Sequence, residues 1–307
     1  MDVDANKLTP VEMSEREENI NLLKRVVKEG EFVAAFVGSG PSTSVGIKSW
    51  DDLLSDMARE FHVDMDVKKI IDQKGYAEAA SEIYRHIEDH DSYLDFMQRQ
   101  FRPTNDPFSP KYSLIVRNFP LILTTNFDIC IEKACEFEKI SFHVQKLPDF
   151  NEFELFQQDA ITIVYLHGNT KDNKYIFLKE DYDQYYPSIS NLNGSKDLEH
   201  FLRSILKRIT LVFIGFSFND RYFYKFFRKI VKEEILQDRI THQKRFRTHH
   251  PRPDVNHFIL ISKSEDFDEL KKDELKKIGL KCIWYEQHID IWNILERVFD
   301  LEPKLIV

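Results

Sequence analysis

Cysteine is scarce in this sequence, long apolar runs are missing, and positive charge is outnumbered. Each shortage removes a class of protein. Only three cysteines are present, Cys130, Cys135 and Cys282, with no Cys-x-x-Cys pair. Three thiols build neither a disulfide framework nor a four-thiolate zinc module. They read instead as small buried hydrophobes. No apolar stretch approaches the roughly 20 residues that a membrane helix needs. The opening residues, MDVDANKLTPVEMSEREEN, are acidic and polar, so no secretory leader is expected and the cytoplasm is the expected compartment. The formal net charge is -9. A broad nucleic-acid binder needs a basic surface and is not expected, although a local basic patch stays open.

What is abundant points to a packed core. The chain has 307 residues, 42% of them apolar and 31% charged, with 25 phenylalanines. Global disorder is excluded by that composition. The length suits one large domain, or a core domain with a smaller helical attachment.

Periodicity divides the chain. Residues 1–18 read as a polar lead, and 19–307 as one domain. Ile20, Leu22, Leu23, Val26 and Val27 predict an amphipathic helix over Asn19–Lys28. Short apolar runs predict six strands: Glu31–Val37, Leu121–Thr125, Ile161–Leu166, Leu211–Gly215, His257–Ser262 and Lys281–Tyr285. Between the first two, Trp50–Phe101 reads as helical, with Pro103, Pro107 and Pro110 at its end; it is taken as a helical insertion at about 51–115. Helices also fit Asp128–Phe137, Leu198–Lys207 and Ile289–Val298. Apolar strands alternating with helices predict an α/β fold with a doubly wound, mainly parallel sheet. Arg239–Pro253 is basic and contains proline, and reads as an exposed loop.

In such a sheet ligands bind outside the carboxyl ends of the strands, so the residues just beyond each strand matter most. Gly38-Ser39-Gly40 comes after the first, a turn where backbone amides can approach a phosphate, and Ser42 adds a hydroxyl. A packing turn explains the same glycines. Asn126 and Asp128 come after the second strand. Asn126 both donates and accepts, and can hold water or a ribose hydroxyl; an Asx turn or a helix cap is the plainer alternative, above all for Asp128. His167 and Gly168 come after the third. The histidine is a candidate general base, or a satisfied half-buried side chain. Gly215, Ser217 and Asp220 come after the fourth, with capping of the next helix as the alternative for Ser217 and Asp220. His242, His249 and His250 lack carboxylate or thiolate partners at a ligand spacing, so no metal is expected.

In order along the chain, these segments resemble the sirtuin family. Gly38-Ser-Gly-Pro-Ser-Thr-Ser-Val-Gly-Ile-Lys-Ser-Trp50 resembles its nucleotide loop, with Gly38, Gly40, Ser42, Gly46, Ile47 and Trp50 in register. Thr125-Asn126-Phe-Asp128 resembles its Gln-Asn-Ile-Asp segment, His167-Gly168 its catalytic His-Gly, and Gly215-Phe-Ser217 its Gly-Thr-Ser contact. The departures are specific. The zinc cysteines are absent, Lys48 stands where the family has proline, Asp51 where it has arginine, and Thr125 where it has glutamine. With Phe177–Tyr182, they bring the chain nearer to bacterial SIR2-like effector domains of anti-phage defence.

That resemblance implies a Rossmann-like NAD-binding domain that hydrolyses NAD to nicotinamide and ADP-ribose, without zinc. It implies that Gly38, Ser39, Gly40 and Ser42 grip the pyrophosphate, that Asn126 positions ribose or water, and that His167 accepts a proton. Asp128 would sit near the nicotinamide ribose or carboxamide, Trp50 over the nicotinamide pocket, and Gly215 and Ser217 against the adenosine half. It also implies an activating partner protein, a nucleic acid or an assembly event as the trigger. A homo-oligomer is expected from the aromatic insertion and from Tyr222–Phe227, a stretch that suits a core or a subunit interface. Three rivals stay open: an NAD or ADP-ribose sensor without turnover, a zinc-free deacylase, and a scaffold using Lys244–Arg252.

Overall fold

Alternation builds the centre of the fold. In β1 (Val33–Val37) every residue is buried, and successive side chains enter two different cores. Val33, Ala35 and Val37 join one; Ala34 and Phe36 join the other. A strand covered on both faces has no solvent side, so it reads as an unbroken apolar run. The same holds for β2 (Leu121–Thr124), β4 (Ile161–Tyr165) and β5 (Thr210–Ile214), each buried along its length.

The computed structural model describes residues 7–103, 110–146, 155, 159–186, 196–216, 218, 220–245, 256–263 and 269–301. Its sheet has seven strands in the order β3-β4-β2-β1-β5-β6-β7. Here β3 is Phe142–Lys146, β6 His257–Ser262 and β7 Leu280–Tyr285. Every pairing is parallel. This is the doubly wound, Rossmann-like α/β sheet expected from the sequence. The strand order turns back on itself between β1 and β5, and that switch point opens the crevice used by ligands in such folds.

Helices cover both faces. On one, α1 (Pro10–Lys28), α3 (Trp50–Glu60), α7 (Pro110–Asn118), α8 (Cys130–Glu138) and α13 (Asp290–Val298) contribute Leu23, Met57, Tyr112, Ile131 and Trp292 to the first core. On the other, α10 (Lys196–Leu206), α11 (Arg221–Arg245) and α12 (Glu269–Lys277) contribute Phe201, Phe223, Phe227 and Leu275 to the second. Phe226 is buried there too. The aromatic stretch after β5 is therefore core.

Four differences from the sequence reading have local causes. First, α1 begins at Pro10, not Asn19. Thr9 and Glu12 form a reciprocal capping box and Pro10 occupies the first turn, so half of the polar lead is helix. Second, the insertion is a set of short helices. Ser49 caps α3, Asp66 caps α4 (Val67–Gln73) and Asp89 caps α6 (His90–Gln100), while Gly75 opens α5 (Tyr76–Tyr84) at φ +116. Third, β3 is an additional strand that no pattern in the sequence announces. It is an edge strand in which His143 and Val144 are exposed, and it carries no apolar run. Fourth, residues 239–245 prolong α11 as helix, and 246–253 lie outside the described residues.

Candidate functional site

The crevice begins where two backbones cross. The amide of Gly38 donates to Ile214 O at 2.9 Å, and that of Gly40 to Gly215 O at 3.0 Å. A Cβ on Gly38 would stand 2.4 Å from Gly215 O, and one on Gly40 2.7 Å from Gly215 Cα. Both glycines are therefore required by the approach of the β5 loop. They lie behind the crevice, while Ser39 and Ser42 line it. Ser39 and Ser42 belong to a single turn, α2 (Gly40–Thr43), and its N-cap.

Ser42 is the hub of a buried network. It is 1% exposed, and its hydroxyl donates to Asp128 Oδ2 at 2.8 Å. It also meets the Tyr112 hydroxyl at 2.8 Å and accepts from Asn126 Nδ2 at 3.1 Å. Asn126 Nδ2 donates a second time, to Gly38 O at 2.8 Å. The Asn126 amide N–H donates to Thr124 Oγ1 at 3.0 Å, and that hydroxyl donates to Val37 O at 2.8 Å. Both side-chain donors of Asn126 are thus engaged with the β1 loop. Its Oδ1 has no hydrogen-bond partner among the described residues and is the atom left for a ligand.

Asp128 is 3% exposed, and its other oxygen, Oδ1, accepts the Cys130 amide at 3.0 Å at the start of α8. Both carboxylate oxygens are held by the protein. The Asx-turn alternative describes the Cys130 bond, since the α8 cap is Ile129 and has no side-chain hydrogen bond, while Oδ2 holds the Ser42 hydroxyl. Burial pushes the neighbouring Tyr112 hydroxyl and Cys130 thiol up, so both stay protonated.

His167 lies two residues beyond β4 and is 1% exposed. Gly168 turns the chain behind it at φ +80, with Lys174 O 2.1 Å from where a Cβ would stand. His167 Nε2 meets the Tyr186 hydroxyl at 2.6 Å. Asp220 Oδ2 lies 4.0 Å from the same nitrogen and accepts the Tyr182 hydroxyl at 2.7 Å. Asp220 Oδ1 caps α11 through the amides of Tyr222 and Phe223 at 3.0 and 2.9 Å. Burial pulls His167 down to about 3, so the ring is neutral and its contact with Asp220 is not an ion pair. Burial raises Asp220 as well, against the hydrogen bonds that hold its charged form.

Aromatic rings close one wall. Trp50 stacks on Phe177 at 4.9 Å and 12°, and meets Tyr76 at 5.7 Å. Tyr182 stacks on Tyr222 at 4.8 Å. The resulting cleft encloses about 240 Å³ and opens to solvent. Two cations reach it. Lys48 is paired with Asp56, whereas Arg221 donates to Lys74 O at 3.2 Å.

Of the residues expected from the sequence, Ser39, Ser42, Trp50, Asn126, Asp128, His167 and Gly215 line one cleft. Gly38 and Gly40 support it, and Ser217 lies outside the described residues. Tyr112, Tyr186 and Arg221 join the site without any signal in the sequence, and Tyr182 is marked only by the resemblance of Phe177–Tyr182. Tyr112 and Tyr186 sit on a helix or helix end 70 and 19 residues from the side chains they meet. Among the described residues no group of three or more His, Cys, Asp or Glu gathers as for a metal ion. No described helix is long and apolar enough to cross a membrane.

A parallel sheet with this cleft at its switch point is the setting of a nucleotide-binding α/β domain, and the chain belongs to the SIR2-like family. The family's SIR2-like domain matches residues 120–283, more than half of the chain. The chain is also 28% identical over 309 residues to the NAD(+) hydrolase ThsA of Bacillus cereus (strain MSX-D12), covering 90% of this chain and 55% of that protein. It is 28% identical over 211 residues to the NAD(+) hydrolase ThsA of Enterococcus faecium, covering 65% of this chain and 40% of that one. The chain thus spans about half the length of the curated relatives it matches.

Proposed function

We propose that this protein hydrolyses NAD to nicotinamide and ADP-ribose. One observation carries the reading: an unengaged carboxamide oxygen on Asn126 and a neutral His167 line the same cleft at the β1/β5 switch point. In the reaction the C1′–N bond breaks with its electron pair going to the pyridinium nitrogen, so nicotinamide leaves neutral and no acid is needed. Water adds its oxygen to C1′ and loses a proton to solvent. The ribose centre passes through a cation, which a protonated imidazole would oppose. A histidine held neutral adds a polar contact without adding that charge.

The geometry suggests the roles. Asn126 Oδ1 accepts from a ribose hydroxyl or from the attacking water. Ser42 and Asp128 hold Asn126 and are positioning residues. His167 contacts the same ribose, and its low basicity makes it a hydrogen-bond partner more than a strong base. Trp50 covers the nicotinamide end. Ser39 and the α2 turn meet the pyrophosphate, with Gly38 and Gly40 shaping that turn, and Gly215 and Ser217 meet the adenosine half. No metal enters the scheme.

In the cytoplasm such turnover depletes NAD, the outcome that the resemblance to anti-phage effectors implies. An activating partner and a homo-oligomer belong to the same reading. Tyr222–Phe227 does not support the oligomer, because its phenylalanines are spent in the core.

Incubation of the purified chain with NAD, with products separated by chromatography, tests the assignment. Equal release of nicotinamide and ADP-ribose is expected. The weak basicity of His167 favours one second reading, a sensor that holds NAD unchanged, and tight binding with no nicotinamide would establish that instead.

A further inference from the structure

We propose that Tyr186 is a positioning residue that fixes the tautomer of His167, so that the imidazole offers an N–H at Nδ1 to the ligand. The proposal deepens the hydrolase reading and rests on it for its effect on turnover; the tautomer can be read without NAD.

A neutral imidazole carries one proton, on either nitrogen, and the partner of one nitrogen decides the state of the other. His167 Nε2 and the Tyr186 hydroxyl are 2.6 Å apart, both residues buried. Either atom can be the donor, so the rest of the network must choose. The phenol has one proton, and among the described residues its oxygen makes no other hydrogen bond. Asp220, the nearby acceptor, is already served: its Oδ2 takes the Tyr182 hydroxyl at 2.7 Å and its Oδ1 takes two backbone amides. Were Nε2 protonated, it would donate to Tyr186 and leave the phenol proton buried with no acceptor. Unsatisfied buried donors are rare because they are costly. With the phenol donating to Nε2, the buried contact is satisfied and the ring proton resides on Nδ1 of the residue that lines the cleft, where water or ligand can accept it. Tyr186, by contrast, is not among the described residues lining the cleft. Nδ1 has no hydrogen-bond partner among the described residues.

The consequence is a matched pair. Asn126 has spent both N–H groups and offers only an acceptor, whereas His167 offers only a donor. A hydroxyl both donates and accepts, so the cleft is set for a sugar hydroxyl. Aldehyde-like or ether oxygens could satisfy His167 alone.

The test uses the full chain labelled with ¹⁵N-histidine and long-range ¹⁵N–¹H correlation, with His167→Gln to assign the signal. The expected spectrum shows a pyrrole-type Nδ1 and a pyridine-type, hydrogen-bonded Nε2. Tyr186→Phe should raise the Nε2–H population. With NAD, Tyr186→Phe should lower kcat about tenfold with KM little changed, the scale of one oriented hydrogen bond. A wild-type ring protonated at Nε2 overturns the proposal whether or not the variant folds, and so does an unchanged tautomer in Tyr186→Phe. Absence of turnover in a wild-type protein that shows the Nδ1–H form counts against the hydrolase and still supports the tautomer.

Discussion

Ser42 Oγ lies 2.8 Å from Asp128 Oδ2 and ties the turn after β1 to the turn after β2. The bond is buried, and it leaves a carboxylate whose two oxygens are each served by one protein donor. Ser42→Ala removes one donor and leaves that oxygen without a partner. The expected loss is about 1–3 kcal/mol of stability, read as a lower midpoint in denaturant titration at unchanged slope. Asn126 also loses an acceptor, so turnover should fall along with stability. A variant as stable as the wild type would mean that Asp128 does not depend on Ser42.

Two glycines with positive φ separate strain from collision. Gly279 (φ +77) has nothing within 4 Å of a built Cβ, so Gly279→Ala meets only the left-handed penalty of about 1–2 kcal/mol. Gly215 (φ +62) would place its Cβ 2.4 Å from Pro41 Cδ and 2.9 Å from Gly40 Cα. Gly215→Ala must push the β1 turn aside. Its thermal midpoint should fall well below that of Gly279→Ala, and NAD binding by calorimetry should be lost only in the former.

Asn126 is held by donors that an aspartate cannot supply. Asn126→Asp would aim a carboxylate at Gly38 O and Ser42 Oγ, which now accept its N–H groups at 2.8 and 3.1 Å. The ligand-facing oxygen would then turn away from its place. Both Asn126→Asp and Asn126→Ala should lose on the order of a hundredfold in kcat for NAD hydrolysis. A fully active Asn126→Ala that melts like the wild type would remove Asn126 from the chemistry.

Acid should weaken the fold through its buried histidines. Burial holds His167 at about 3 and His257 at about 4, both below the unfolded value near 6.5. Their folded values are depressed, so stability is complete above pH ~6.5 and is lost as pH falls toward 4 and 3. Each histidine contributes a slope of up to about 1.4 kcal/mol per pH unit. Asp220 acts in the opposite sense, since burial raises it. The comparison that isolates His167 is the wild type against His167→Gln. Between pH 7 and 5 the wild type should lose more stability. Equal losses in chemical denaturation would mean that His167 is not held neutral.

The strands were legible because burial on both faces leaves no room for polar residues, as in β1 and β5. The strand ends were legible because Gly38, Asn126, His167 and Gly215 interrupt apolar runs at the one edge where ligands bind. The hidden features obey weaker or longer-range rules. Thr9 and Glu12 form a capping box whose spacing is written in the sequence, but the polar residues around it mask the start of the helix. β3 has one sheet neighbour and leaves His143 and Val144 open, so no pattern marks it. Tyr112 and Tyr186 look like ordinary helical aromatics; only the fold brings their hydroxyls to Ser42 and His167, 70 and 19 residues away.

Arg221 should carry phosphate affinity. A pyrophosphate brings negative charge into a cleft already lined by Asp51, Glu78, Asp128 and Asp220. Lys48, which also lines the cleft, is committed to Asp56 and Gln100. Arg221 comes directly after the α11 cap, lines the same cleft, and has a backbone carbonyl as its hydrogen-bond acceptor with no ion pair among the described residues. A charge-assisted bond is worth about 1.5–3 kcal/mol, so Arg221→Ala should raise KM for NAD by roughly ten- to a hundredfold with kcat little changed. Lys48→Ala should act more weakly, because its charge is largely compensated. Inhibition by ADP-ribose, which keeps the pyrophosphate, should weaken in parallel in Arg221→Ala, while nicotinamide, which has none, should inhibit both proteins alike. A KM unmoved by Arg221→Ala would place the phosphates on the α2 turn alone.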